Sequence, residues 1–300
     1  MTSSSDAVVG RTREVELLLA ALDAGAHVLL EGPPGTGKTT LLRAVAAEQA
    51  TPFVFVEGNA ELTPARLVGH FDPAQVLAAG YTADTFVDGP LAEALRSGAL
   101  LYVEEVNRVP EETLNVLLTV MSEAELHVPR LGRIPAGRGF RLVAAMNPFD
   151  AIGTARISSA VYDRVCRIAM GYQTATDEQA IVGLRGPEVP EAWRATVVEL
   201  VRRTRTHPDI RVGSSVRGSI DMVRLTAALA ARRGVPVTDR TAGLDAALVA
   251  LAGRVQLADT SARTAEEIVR GLYDELFPVK VDDPTDNPAD DPEGDASGEA

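Results

Sequence analysis

Cysteine is nearly absent from this chain. Cys166 is the one thiol in 300 residues, so no intrachain disulfide forms and no thiolate cluster can hold a metal. Because it lies in the apolar run 165–170, Cys166 is expected to be a buried small hydrophobe. Lysine is almost as scarce: Lys38 and Lys280 are the two, and arginine makes up the rest of the 29 basic residues. Aromatics are 4% of the chain, too few for the stacking platform that single-stranded nucleic acid needs. No apolar run approaches the roughly 18 residues of a membrane-spanning helix. The N-terminus lacks the basic and apolar regions of a secretory leader, so a cytoplasmic location is expected.

Hydrophobic residues are 46% and charged ones 24%, with a net charge of −13. This is an ordinary globular composition, and the length allows one large domain or two ordinary ones. Much of the charge is local. Residues 279–300 hold eight acids against Lys280, a net of −7, which leaves −6 for the body. An acidic body argues against a nucleic-acid backbone as the main partner. The tail, poor in apolar residues, cannot offset its ordering entropy and is expected to be disordered.

The densest motif is Gly32-Pro33-Pro34-Gly35-Thr36-Gly37-Lys38-Thr39, followed by Thr40. It fits the phosphate-binding loop between a strand and a helix. Its glycines let backbone N–H groups turn inward, and the next helix adds its positive end. Lys38 is then expected to reach the β- and γ-phosphates, and the Thr39 hydroxyl to face Mg²⁺. A Gly/Pro-rich surface turn is the plain alternative, but the flanks favour the loop. Residues 28–30 are a short apolar strand, and 39–49 have apolar residues at helical spacing.

Residues 99–105 form an apolar strand ending in Glu104 and Glu105. Alone, that could equally be a solvated turn. With a phosphate loop upstream it reads as the acidic strand of an NTPase, beside the phosphate-loop strand. Glu104 would hold the Mg²⁺ shell and Glu105 would polarise the attacking water. Between strand 53–56 and the helix starting at Pro90, residues 58–90 read as an irregular insertion. Residues 126–135 read as a hairpin turning at Gly132, with His127 an exposed strand residue. From about 174 onward the pattern is helical only.

Taken in order, GPPGTGKT, LLYVEEVNR, LVAAMNP, the Asp163-Arg164 pair and GSSVRGS resemble the AAA+ ATPases, and among them the MoxR family. The likeness runs over roughly 7–275. It implies an α/β fold, a AAA+ P-loop NTPase core of parallel sheet between helices (1–173) followed by an all-α lid (174–278). Residues 279–300, the acidic tail, lie outside it. The resemblance also implies an ATP- and Mg²⁺-dependent ATPase. It assigns Asn147, at the tip of a strand between the acidic strand and the phosphate-loop strand, as a polar sensor of the γ-phosphate or attacking water, where an Asn-Pro turn is the bland reading. Arg164 becomes a finger completing a neighbouring subunit's site, with Arg156 in reserve, where a surface Asp163–Arg164 pair is the alternative. Arg217 becomes a second sensor from the lid, and Val8, Val9 and Gly10 would flank the adenine. A finger supplied between subunits implies a homo-oligomeric ring, usually a hexamer. The family resemblance further implies chaperone-like remodelling of a protein client, often with a von Willebrand factor A-domain partner. The usual first acid of the metal pair is Asp, and Glu104 departs from that. The hairpin matches an insertion that faces the pore or substrate. It carries Arg130, Arg133 and Arg138, which suit an acidic segment, a nucleic-acid backbone or plain solvent.

Overall fold

The computed structural model describes residues 8–148 and 158–278. Arg156 and the acidic tail lie outside the described residues. In chain order the first half runs α1 (Thr12–Asp23), β1 (His27–Glu31), α2 (Lys38–Glu48), β2 (Phe53–Glu57), α3 (Pro64–Val68), β3 (Gly69–Phe71), α4 (Pro73–Ala79), β4 (Phe86–Asp88), α5 (Pro90–Ser97) and β5 (Leu100–Glu104). There follow α6 (Glu111–Glu123), β6 (Glu125–Val128), β7 (Gly132–Pro135), β8 (Arg141–Met146), α7 (Ser159–Tyr162) and β9 (Val165–Ala169). The last part is α8 (Ala175–Arg185), α9 (Glu191–Arg203), β10 (Ile210–Val212), α10 (Val216–Arg233), α11 (Arg240–Leu251), β11 (Gln256–Leu257) and α12 (Ala265–Leu276).

Five strands make a parallel sheet in the order β2-β5-β8-β1-β9. Its residues alternate between two cores, as the period of two in a strand requires. Leu29, Leu101, Val103, Leu142 and Ala144 face α5 and α6, while Val28, Leu30, Tyr102, Val143 and Ala145 face α1 and α2. This is the layered α/β class expected from the sequence. Glu31 pairs with Met146 and Val103 with Ala144. That register brings the ends of β1, β8 and β5 to one edge of the sheet, where open α/β sheets bind ligands.

Four expectations need correction. The acidic strand does not lie beside the phosphate-loop strand, because β8 runs between β5 and β1. Residues 58–90 are not irregular: α3 and α4 start at prolines after the N-caps Thr63 and Asp72, and β3 pairs with β4. Proline at the first helical turn after a capping side chain is a helix start even where the apolar periodicity is short. The region after 174 is not purely helical, since β10 and β11 form an antiparallel ribbon. Cys166 is exposed. It sits on β9, an edge strand of the sheet, where Ile168 on the same face is buried and Cys166 is left uncovered.

The hairpin is present as β6 and β7, with His127 exposed. Its arginines are not equivalent. Arg133 pairs with Glu125, Arg130 lies 3.9 Å over the Tyr81 ring of the insertion, and Arg138 is exposed. The helical part has its own core, built on Val197, Val201, Met222, Val223, Leu251, Ile268 and Tyr273. Arginines grip the linker that joins it to the sheet. Arg11 donates to the Gly171 carbonyl at 2.6 Å and Arg202 to the Gln173 carbonyl at 3.0 Å. Arg205 stacks 3.9 Å from the Tyr172 ring centre and pairs at 2.8 Å with Glu178, whose side chain is fully buried.

Candidate functional site

The turn from β1 into α2 builds the centre of the site. Gly32 leaves the strand against β9's exit, where a Cβ would fall 2.1 Å from the Met170 carbonyl oxygen. Gly37 precedes the helix at φ +88°, a left-handed conformation that only glycine adopts cheaply. Lys38 opens α2 nearly buried, its Nζ donating to the carbonyls of Gly32 at 2.7 Å and Pro33 at 2.9 Å. Burial, above all, pulls its pKa down to about 8; Glu104 opposes the fall, while Arg217 and Arg11 deepen it. The Thr36 hydroxyl donates to the Pro33 carbonyl at 3.0 Å, and the Thr36 carbonyl accepts from Arg11 at 2.9 Å. Arg11, almost fully buried, therefore ties the loop to the linker at Gly171.

Across from the loop, Glu104 at the end of β5 accepts the Thr39 hydroxyl proton at 2.9 Å, despite the strand that intervenes. Tyr102, one pleat earlier on the same face, lies with its hydroxyl 3.3 Å from Thr39 Oγ1. Glu105 has left the strand and takes a left-handed backbone, φ +52°. Such a conformation in a non-glycine residue costs energy and recurs at functional sites. The Glu105 carboxylate pairs with Arg108 Nε at 3.1 Å.

Two adjoining cavities open at this edge. One, of about 370 Å³, is lined by Pro34 through Thr40, Glu104, Glu105, Arg108, Ala145, Met146, Asn147, Arg217 and Gln256. The other, of about 400 Å³, lies between the loop and the helical part. Val8, Val9, Ile181, Val216 and Ile220 supply much of its wall. They share Gly35, Gly37, Thr40 and Arg217. Arg185, Asp221 and Arg224 complete the second cavity, so a charged cavity continues into one with an apolar side and a charged rim, which suits an anionic group joined to a flat apolar one, as in a nucleotide.

The residues singled out from sequence fall into two groups. The structure brings Lys38, Thr39, Glu104, Glu105, Asn147 and Arg217 around the charged cavity, with Val9 on the apolar one. Gly32 and Pro33 line neither cavity and act through their carbonyls on Lys38. Gly10 also lines neither; it packs on the Asp177 side chain, where a Cβ would come within 2.6 Å. Arg164 stands apart, its guanidinium donating to Ser122 Oγ at 2.7 Å and the Ala160 carbonyl at 2.9 Å. Arg11, Tyr102, Arg108, Gln173 and Gln256 were not anticipated. For Tyr102 a signal existed, since it is a polar aromatic two residues before Glu104 in an otherwise aliphatic strand.

No cluster of three or more His, Cys, Asp or Glu side chains among the described residues could cage a metal. Thr39 and Glu104 nonetheless offer hard oxygen donors side by side. That sparse set fits Mg²⁺, which is usually held by one or two protein oxygens plus phosphate oxygens.

Residues 27–165 match the family described as AAA domain (dynein-related subfamily). The gas vesicle ATPase GvpN of Ancylobacter aquaticus is 32% identical over 225 residues, 70% of this chain and 63% of that protein. The gas vesicle ATPase GvpN of Haloferax mediterranei is 30% identical over 209 residues, 64% of this chain and 60% of that one. The chain thus spans a little under two thirds of the length of these curated relatives. Among solved structures, the Thermotoga maritima RuvB Holliday junction branch migration motor superposes with a TM-score of 0.53 at 19% identity. The superposition covers 83% of this chain and 72% of that one, a likeness of fold.

Proposed function

We propose that the chain is a AAA+ ATPase that binds and hydrolyses ATP with Mg²⁺ as a MoxR-type member. One observation carries the reading: Lys38, Thr39, Glu104, Glu105, Asn147 and Arg217 surround a single cavity that continues into one with an apolar side formed by Val8, Val9, Ile181, Val216 and Ile220. Lys38 holds the β- and γ-phosphates in exchange for its present carbonyl partners, and loop N–H groups bind the remaining phosphate oxygens. Thr39 and Glu104 hold Mg²⁺, which neutralises charge on the phosphates when bound. Glu105 orients the attacking water and accepts its proton, with Asn147 as the neutral hydrogen-bonding group beside it. Arg217 reaches the γ-phosphate from the helical side. The apolar cavity takes the adenine between Val8, Val9 and Ile181. The name ATPase carried by the gas vesicle relatives supports turnover.

Residues 1–173 and 174–278 act as core and lid, with the Gly171–Thr174 linker as their hinge. Arg164, which lines neither cavity of its own subunit, serves the neighbour's site in a homo-oligomeric ring, a hexamer by family resemblance. The ring remodels a protein client in the cytoplasm, with a von Willebrand factor A-domain protein as partner. None of the described helices is long and apolar enough to cross a membrane.

Nucleotide affinity and phosphate release of Lys38→Ala and Glu105→Gln test the activity. Lys38→Ala should lose binding; Glu105→Gln should bind ATP and stall. Unchanged release in Glu105→Gln would remove the base assignment. A second reading, a nucleotide-gated switch with little hydrolysis, is favoured by the Glu105–Arg108 pair and by Glu104 in the usual Asp position. A large gain in turnover in Glu104→Asp would select it. A nucleic-acid motor on the same fold would show DNA-stimulated turnover that falls steeply with salt; the acidic body speaks against it.

A further inference from the structure

Tyr102 is completely buried and lines neither cavity. Its ring is packed among Phe53 and Phe55, centroids 6.0 and 5.7 Å away, and Arg43 lies 5.4 Å over Phe53. A buried phenol needs a hydrogen-bond partner, and this one meets Thr39 Oγ1 at 3.3 Å. The direction of that bond follows from proton counting. Thr39 has one hydroxyl proton, and it goes to Glu104 Oε1 at 2.9 Å. With the Thr39 proton placed on Glu104, the shorter contact, Tyr102 donates to Thr39, and its hydroxyl also lies within reach of the Glu104 carboxylate.

The geometry points to Tyr102 as a positioning residue for the metal that accompanies the nucleotide. Its hydroxyl occupies one lone pair of Thr39 from behind the loop. The Thr39 proton is committed to Glu104, so a single lone pair is left for a cation. A threonine without this support could turn its hydroxyl to other acceptors. With it, the oxygen and the Glu104 carboxylate are set as a pair before any ligand arrives, which lowers the ordering cost of binding. This inference rests on the Mg²⁺-nucleotide reading of the site.

Tyr102→Phe removes one oxygen and keeps the ring packing. Affinity for a fluorescent ADP analogue is measured in EDTA and across a Mg²⁺ titration, alongside the melting temperature without ligand. The variant should need about three to ten times more Mg²⁺ for half its effect, the scale of one neutral hydrogen bond. Its affinity in EDTA should match wild type, and its melting temperature should fall by no more than the loss of one neutral hydrogen bond implies. If wild type itself ignores Mg²⁺, the metal-nucleotide reading falls and takes this proposal with it. If wild type responds and Tyr102→Phe responds identically, the proposal alone is overturned. A variant that binds more weakly in EDTA to the same extent as in Mg²⁺ also overturns it, because the loss then belongs to general packing.

Discussion

At the scale of the residue, the most consequential property is the buried ammonium of Lys38. In the free protein its partners are backbone carbonyls, and its pKa lies at about 8. Bound phosphates would add negative charge beside it and raise that value, so above pH 8 binding must take up a proton. The sign follows from linkage: affinity is full below the free pKa and declines as pH rises past it, until the bound pKa is also exceeded. Calorimetry of ADP binding at about pH 9, in buffers of different ionisation enthalpy, should show fractional proton uptake. At about pH 6.5 the uptake should vanish. Equal proton release at both would remove the account of Lys38. Such a shift was not legible in the sequence. The motif located the lysine, but the depression comes from burial and from Arg11 and Arg217, which only the fold brings near. Arg11 and Gln256 were missed for the same reason, since each reaches the site from a distant segment.

At the scale of the element, legibility tracked periodicity and local chemistry. The strand–loop–helix around 27–48 and the acidic strand could be read because apolar spacing and glycine chemistry are local. Strand order has no local signature, because placing β8 between β5 and β1 is a long-range pairing; only the family resemblance puts the Asn147 strand there. The burial of Cys166 was misjudged on the same ground: an apolar run does not reveal that its strand lies at an edge. Energetics at this scale divide sharply between two arginine contacts. Glu178, fully buried, answers Arg202 at 3.3 Å and Arg205 at 2.8 Å at the linker. Glu178→Ala leaves these cations without their counter-ion and should cost about 3–5 kcal/mol in chemical denaturation. Arg130 over Tyr81 is an exposed stacking contact, so Arg130→Ala should cost less than about 1 kcal/mol. Equal losses in the two variants would contradict the view that the linker cluster fastens the helical part to the sheet.

At the scale of the whole molecule, each site is proposed to be completed by a neighbour's Arg164. That makes a defect in one subunit repairable by another. Arg164→Ala and Glu105→Gln should each be nearly inactive alone and should regain measurable turnover when mixed. The Arg164→Ala subunit then keeps an intact base and receives a finger from its Glu105→Gln neighbour. No recovery on mixing, with both variants shown to co-assemble, would return Arg164 to a surface ion pair. Cys166, exposed and the sole thiol of the chain, would give the proposed ring a built-in ruler. One spin label per subunit, attached without any engineered substitution, reports every label-to-label spacing by dipolar spectroscopy. Closed sixfold symmetry would give three spacings in the ratio of about 1 to 1.7 to 2, whereas a trimer would give a single one.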